Sequence, residues 1–146
     1  MPVHNGHVFL IETALSLVEH LTILVIAQPD DPIPKEVRVS WLCTLFPSTH
    51  VMLHNTPLPR DESGVEHWGV WLQSIKSTLN NSLFDTVFSS EQYGVRFAQD
   101  IGAQHHMVDH KRVEVPISAS AIRAHPHDYT DYLPEIVRSY YSQKSV

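Results

Sequence analysis

Apolar positions along the chain follow two different patterns. Segments with an apolar residue every three or four positions predict amphipathic helices, and short runs of consecutive apolar residues predict strands buried on both faces. The predicted helices, in chain order, cover residues 8–19, 35–46, 65–79, 92–101, 118–124 and 134–142. The predicted strands cover residues 21–27, 50–54, 86–89 and 104–108. Residues 55–64, with two prolines and a glycine, predict a loop.

This alternation of helices and buried strands predicts an α/β fold, a Rossmann-like parallel sheet with helices on both faces. In such folds ligands bind beyond the carboxyl ends of the strands. The first predicted helix normally follows a strand in this architecture, yet only a few residues precede it here. We therefore expect the sheet to lack its first strand.

Length and composition narrow the class of protein. The 146 residues, 42% hydrophobic and 18% charged, fit one globular domain over residues 1–146. A net charge of −6 argues against a nucleic-acid partner. No apolar run reaches the roughly 20 residues of a membrane helix, and no export signal precedes the first helix. We therefore expect a cytoplasmic protein with no membrane partner, and the oligomeric state stays open.

The strongest chemical signal is the opening Pro-x-His-x-Gly-His pattern, which contains His4, Gly6 and His7. Residues three apart share one side of a helical turn. The amino terminus of a helix presents unpaired N–H groups and a positive dipole end, which favour anions. Gly6 allows a ligand to approach the backbone closely. The alternative is a surface loop with two ordinary histidines among the 11 in the chain.

A second motif, Ile-Ser-Ala-Ser-Ala-Ile-Arg at residues 117–123, lies about a hundred positions after the first. Together the two resemble the (His/Thr)-x-Gly-His and Ile-Ser-x-Thr-x-x-Arg motifs of the nucleotidyltransferase superfamily. The Trp-Gly-Val-Trp run at 68–71 and the Ser-Ser-Glu-Gln-Tyr-Gly run at 89–94 are similar to the nicotinamide-mononucleotide adenylyltransferases of the bacterial bifunctional regulator type. The resemblance spans nearly the whole chain.

The resemblance implies transfer of AMP from ATP, with Mg²⁺, to nicotinamide mononucleotide (NMN), which gives NAD and pyrophosphate. It implies three sets of site residues. The catalytic residues are His4, His7 and Arg123; the ATP-phosphate residues are Gly6, Ser118 and Ser120; the NMN residues are Trp68, Glu91 and Tyr93. Each set also has a structural interpretation, since Ser118 fits a helix cap, Arg123 a surface charge and Glu91 a helix start.

The chain departs from the family at three points. Ser120 replaces the usual threonine and keeps the hydroxyl. The first strand and its Gly-(Lys/Arg)-Phe lead-in are missing, so we expect the domain to be truncated at its amino terminus, with Met1 an internal methionine. No Gly-x-x-x-x-Gly-Lys-(Ser/Thr) loop follows Arg123, so we expect this chain to lack the kinase domain of the bifunctional relatives.

Two other functions fit the same sequence. One is another nucleotidyltransferase, acting on pantetheine phosphate or on a CTP-dependent alcohol phosphate. The other is a non-catalytic nucleotide-binding remnant. Neither the preference between NMN and its deamidated acid nor the activity of the chain as written follows from the sequence.

Several single residues have structural interpretations. The apolar neighbours of Cys43 predict a buried thiol, Arg38 fits a salt bridge, and Trp71 fits the core. His105 and His106 belong to a histidine-rich cluster, but strand alternation sends them to opposite faces, which argues against a metal site.

Overall fold

The computed structural model describes residues 3–27, 31–54, 68–90, 92–109, 124 and 130–144. Helices and strands alternate as the apolar pattern predicts. The helices are α1 (Asn5–Leu17), α2 (Lys35–Leu45), α3 (Trp68–Thr78), α4 (Tyr93–Ile101) and α5 (Glu135–Lys144). The strands are β1 (Thr22–Ile26), β2 (His50–His54), β3 (Thr86–Ser89) and β4 (Gln104–Met107), and a 3-10 turn spans Thr130–Tyr132.

The four strands form two parallel pairs, each joined by a crossover helix. β1 pairs with β2 across α2, in a register that aligns Ile26 with His54. β3 pairs with β4 across α4, in a register that aligns Ser89 with Met107. Within the described residues the pairs form separate two-stranded sheets. The α/β, Rossmann-like fold class is thus confirmed, since strand–helix–strand units with parallel strands are its building blocks.

The main hydrophobic core lies around the first strand pair. It joins α1, β1, α2 and α5 through apolar side chains that are at most 7% exposed. Its buried members are Val3, Ile11, Val25, Ile33, Trp41, Leu42, Phe46, Leu133 and Val137. The Asn5 side chain also donates a hydrogen bond of 3.2 Å to the backbone carbonyl of Asp131. The end of the described chain therefore packs against the beginning of α1.

Most differences from the predicted boundaries lie at helix ends. The first helix begins at Asn5 rather than at residue 8 because His4 caps it, a contact that an apolar pattern does not reveal. Gly102 ends α4 in the left-handed conformation, with φ 74°, as a glycine after a helix commonly does. The predicted loop at 55–64, the start of the predicted third helix and the predicted helix at 118–124, except Ala124, lie outside the described residues.

The prediction for Cys43 is wrong, because its thiol is exposed. The buried residues of α2 are Arg38, Trp41 and Leu42, which share one face through spacings of three and four. A helix turns about 100° per residue, so Cys43, two positions after Trp41, points away from that face. Among the described residues, no helix combines the length and the apolar character that crossing a bilayer requires.

His54 is a fully buried polar residue at the carboxyl end of β2, with an exposed fraction of 0%. Its Nε2 atom forms a 2.7 Å hydrogen bond with the Ser74 hydroxyl of α3, which ties that helix to the strand. Within the described residues its buried Nδ1 atom has no hydrogen-bond partner. Burial lowers the pKa of His54, because the charged imidazolium would lose its hydration.

The lowered pKa predicts that acid destabilises the fold. The unfolded imidazole binds a proton near pH 6.5, whereas the folded one resists protonation, so the free energy of unfolding should decrease as the pH falls below that value. One proton contributes a slope of at most about 1.4 kcal/mol per pH unit. Urea unfolding between pH 5 and pH 8 measures this slope, which His54→Gln should reduce.

The matched control is His20→Gln, since His20 is exposed, and it should leave the slope unchanged. Burial also lowers the pKa of His105, so we expect His54→Gln to reduce the slope without abolishing it. An unchanged slope in His54→Gln would show that His54 is not a source of the acid sensitivity.

Candidate active site

His4 and His7 form a reciprocal cap at the amino terminus of α1. The Nδ1 atom of His4 accepts a hydrogen bond of 3.0 Å from the backbone N–H of Gly6. The backbone N–H of His4 in turn donates to Nδ1 of His7 at 3.2 Å. The rings stack with centroids 3.9 Å apart and an angle of 28° between their planes. The motif thus brings its two histidines together, as the spacing predicts.

These hydrogen bonds determine where each ring carries its proton. A neutral imidazole has one N–H and one acceptor nitrogen. Because both Nδ1 atoms accept from the backbone, the proton of each neutral ring lies on Nε2. His4 is only 3% exposed, so its ring has little freedom to turn. The pair therefore holds two Nε2–H donors on neighbouring rings at a helix amino terminus, which is the kind of group that hydrogen-bonds phosphate oxygens.

Arg38 forms a buried ion pair where the chain returns from β1 to α2. Its guanidinium donates to the Asp31 carboxylate at 2.9 Å, and their side chains are 7% and 15% exposed. The predicted salt bridge is confirmed. Within the described residues, the buried Nε atom of Arg38 has no partner. The pair joins the first turn of α2 to the segment that follows β1.

Trp68 and Trp71 lie one turn apart on α3, with ring centroids 4.9 Å apart and tilted by 30°. Trp71 also meets the ring edges of Tyr93 at 6.3 Å and Phe97 at 5.7 Å, both on α4. Trp71 is half-buried in this aromatic cluster rather than in the main core. The cluster places Tyr93 next to the tryptophan pair, so two of the predicted NMN residues share one region.

Trp68 has two polar neighbours from α4 that sequence reasoning missed. Its indole N–H donates to the Asp100 carboxylate at 2.6 Å. The Arg96 guanidinium carbon lies 4.4 Å from the Trp68 ring centroid, and Arg96 Nε lies 4.0 Å from Asp100. Arg96 and Asp100 are one helical turn apart on α4 but some thirty residues from Trp68. No local pattern connects them, and only the packing of α3 on α4 reveals the contact.

The carboxyl end of β3 carries a second contact that the sequence did not predict. The Ser89 hydroxyl and His105 Nε2 form a 2.7 Å hydrogen bond between β3 and β4. Gly94, in the first turn of α4, packs directly on this pair. Gly94 is the sequence feature that could have indicated this contact, because a helix that begins close to the strand ends has no room for a side chain there. The contact sets how closely the first turn of α4 approaches the ends of β3 and β4.

The cluster at residues 105–110 does not form a metal site in the described part of the chain. His105 bonds to Ser89, whereas the His106 ring packs against Phe88 at 5.4 Å. The two imidazoles thus point to opposite faces of β4, as alternation predicts. Among the described residues, no group of three or more His, Cys, Asp or Glu side chains is arranged to hold a metal ion.

Four predicted site residues, Glu91, Ser118, Ser120 and Arg123, lie outside the described residues, and their roles stay predictions. The chain following the second motif does return to the first. Asp131, eight positions after Arg123, accepts the hydrogen bond from Asn5 in the first turn of α1. Eight residues span at most about 29 Å, so chain length limits how far Arg123 lies from the histidine pair.

Fold and motifs together define a Rossmann-like α/β protein whose first helix begins at a capped histidine pair, and comparison with known proteins narrows this class. The chain is homologous, at low identity, to the trifunctional NAD biosynthesis/regulator protein NadR. It is 27% identical to NadR of Escherichia coli (strain K12) and 26% identical to NadR of Salmonella typhimurium (strain LT2), in each case over 96% of this chain and 38% of the relative. The chain thus spans about two fifths of the curated relatives it matches.

A solved structure agrees with this homology at the level of the fold. The crystal structure of NadR protein in complex with NAD and AMP-PNP aligns with a TM-score of 0.64 and 20% identity, over 94% of this chain and 43% of that one. No family model matches the chain.

The close approach of α4 predicts opposite effects for two glycine substitutions. A Cβ on Gly94 would overlap the Ser89 hydroxyl and lie 2.8 Å from Ser89 Cβ and 2.9 Å from His105 Nε2. We expect Gly94→Ala to lower the free energy of unfolding by about 1 to 3 kcal/mol, as overpacking does. Thermal or urea unfolding measures the change.

The matched control is Gly69→Ala, because a Cβ there meets nothing within 4 Å and the residue lies in the first turn of α3. Alanine at an unstrained helical glycine stabilises a protein by about 0.4 to 1 kcal/mol. Equal effects of the two substitutions would contradict the tight contact at Gly94.

Proposed function

We propose that this chain is a nicotinamide mononucleotide adenylyltransferase, which transfers AMP from ATP to NMN and yields NAD and pyrophosphate. The observation that carries the proposal is the capped His4–His7 pair, whose Nε2–H donors suit phosphate oxygens at a helix amino terminus. Homology to NadR, named for NAD biosynthesis, supports the same chemistry. The structural neighbour binds NAD and AMP-PNP, an ATP analogue, which agrees with this pair of substrates.

The reaction needs no covalent intermediate on the protein. A phosphate oxygen of NMN attacks the α-phosphorus of ATP, a new P–O bond forms, and the bond to the bridging oxygen breaks as pyrophosphate leaves. Negative charge builds on the α- and β-phosphoryl oxygens during this exchange. Preorganised donors aimed at that charge lower the barrier, because they need no rearrangement at the moment of reaction.

His4 and His7 supply these donors in the proposal. Their Nδ1 atoms are engaged by the backbone, so each ring is oriented before ATP binds. The Gly6 N–H is bonded to His4, so Gly6 contributes through its small size and through the ring it orients. ATP enters as its Mg²⁺ complex, and the metal offsets charge on the phosphates. Mg²⁺ commonly binds through substrate phosphates rather than through a protein cage.

The second motif completes the proposed ATP site. Ser118 and Ser120 offer hydroxyl and backbone donors to the β- and γ-phosphates, and Arg123 offers a forked cation. Asp131 contacts Asn5 at the start of α1 and follows Arg123 by eight positions, so the chain length is compatible with a shared site. A lysine at position 123 would supply a positive charge but not the two parallel hydrogen bonds of a guanidinium.

The NMN site is proposed at the aromatic cluster of α3 and α4. A positively charged nicotinamide ring suits the electron-rich face of an indole. We assign that face to Trp68. The other proposed contacts are Tyr93, which packs on the neighbouring Trp71, and Glu91, which comes between β3 and α4 in the sequence. Formation of NAD from NMN and Mg²⁺–ATP, followed by chromatography, tests the proposal directly. Turnover of pantetheine phosphate or of a CTP-dependent substrate instead would overturn it.

The double role of the histidines, as helix caps and as phosphate donors, can be separated by substitution. Asparagine is a good N-cap and glutamine is a good third residue of a capping box. His4→Asn and His7→Gln should therefore keep α1 capped while removing the imidazoles. We expect each to reduce kcat about a hundredfold or more, as the loss of one such donor commonly does.

The matched variants are His4→Ala and His7→Ala, which remove ring and cap together. They should lose similar activity and, in addition, about 1 kcal/mol of unfolding free energy relative to the capped variants. Steady-state kinetics and urea unfolding of the four proteins give both quantities. A capped variant that turns over at the wild-type rate would remove that histidine from the mechanism.

A further inference from the structure

The Trp68 indole already holds a cation from its own chain. The Arg96 guanidinium lies over the ring at 4.4 Å, and Trp71 packs against the same ring at 4.9 Å. Asp100 accepts the indole N–H at 2.6 Å, which fixes the edge of the ring. A flat ring that stacks on the part of the Trp68 face under the guanidinium must therefore displace Arg96.

Arg96 is the neighbour that can move. Its side chain is 53% exposed, and its 4.0 Å contact with Asp100 is a surface ion pair, a class that contributes little stability. Trp71, by contrast, is held by the ring edges of Tyr93 and Phe97. A ligand ring would therefore displace the guanidinium and leave the aromatic cluster in place.

We propose that Arg96 is a specificity-determining residue that competes with the pyridinium ring of the nucleotide for the face of Trp68. This inference rests on the proposed function. Both groups are cations attracted by the same π-face, so binding of one requires release of the other. The affinity for NMN is lowered by the energy needed to move Arg96 away, in the same way that a minor binding-competent state lowers apparent affinity.

The competition differs between the two forms of the nucleotide. The nicotinamide ring of NMN carries a positive charge and a neutral amide, so a nearby guanidinium repels it. The deamidated acid carries a carboxylate on the same ring, and the displaced guanidinium can pair with that carboxylate. Arg96 thus penalises NMN more than it penalises the acid.

The test compares Arg96→Gln with Arg138→Gln, which removes one charge from an exposed position on α5. Binding of NMN and of the acid is followed by quenching of tryptophan fluorescence, without ATP. We expect Arg96→Gln to tighten NMN binding about fivefold, the scale of a cation–π contact. The affinity for the deamidated acid should increase less or decrease. Arg138→Gln should change neither dissociation constant. In turnover, KM for NMN should decrease while KM for ATP stays unchanged.

A double variant ties the effect to the indole. In a Trp68→Leu background, Arg96→Gln should no longer tighten NMN binding, because no shared face is left. The inference is overturned if Arg96→Gln leaves NMN binding unchanged or weaker. It is also overturned if the affinities for NMN and for the acid increase equally, or if NMN binding still tightens in the Trp68→Leu background. Absence of NMN binding in all variants also overturns it.

The outcomes separate the two proposals. A chain that forms NAD but shows no change in Arg96→Gln keeps the proposed function and refutes the role of Arg96. A chain that forms no NAD but binds NMN more tightly in Arg96→Gln keeps the cation site and refutes the adenylyltransferase activity.

Discussion

The two hydrogen bonds that cap α1, from the Gly6 N–H to His4 Nδ1 and from the His4 N–H to His7 Nδ1, are the constraint on which the candidate site depends. Each imidazole gives up its Nδ1 atom to the backbone, and in doing so it begins α1 and places its own proton on Nε2. The usual capping side chains are hydroxyls, carboxylates and amides, whose polar end is already engaged in the cap. An imidazole has a second nitrogen on the far side of the ring. The cap therefore begins the helix and orients both rings, and the proposed function assigns their Nε2–H groups to the phosphates of ATP.

Two contacts with later parts of the described chain stabilise the start of α1. Val3 is buried with Leu133 and Val137 of the returning chain, and Asn5 is bonded to Asp131. The second strand pair is organised separately, because the Ser89–His105 bond and Gly94 set the position of α4. α4 then holds the tryptophans of α3. The proposed ATP site lies at the start of α1 and the proposed NMN site on α3 and α4, and the His54–Ser74 hydrogen bond joins α3 to the first strand pair.

Local patterns were sufficient for the strands and for most of the helices. The predicted strands at His50–His54 and Thr86–Ser89 agree with the structure, because buried parallel strands are short apolar runs. The histidine pair was predictable from its spacing of three. Cys43 was misassigned because its neighbours in sequence are apolar while its helical face is not. Contacts between distant elements, such as Trp68 with Asp100 and Ser89 with His105, have no local signature and required the tertiary structure.

The central claim, that the cap fixes both imidazoles with the proton on Nε2, is tested most directly by nitrogen-15 NMR of histidine-labelled protein. Assignment by His4→Asn and His7→Gln identifies the two rings among the 11 histidines of the chain. At a pH where both rings are neutral, we expect each ring to show an unprotonated Nδ1 and a protonated Nε2. Addition of Mg²⁺ and a non-hydrolysable ATP analogue should shift the Nε2 signals while Nδ1 keeps its acceptor state. A proton on Nδ1 of either ring would contradict the reciprocal cap and the phosphate-binding role that follows from it.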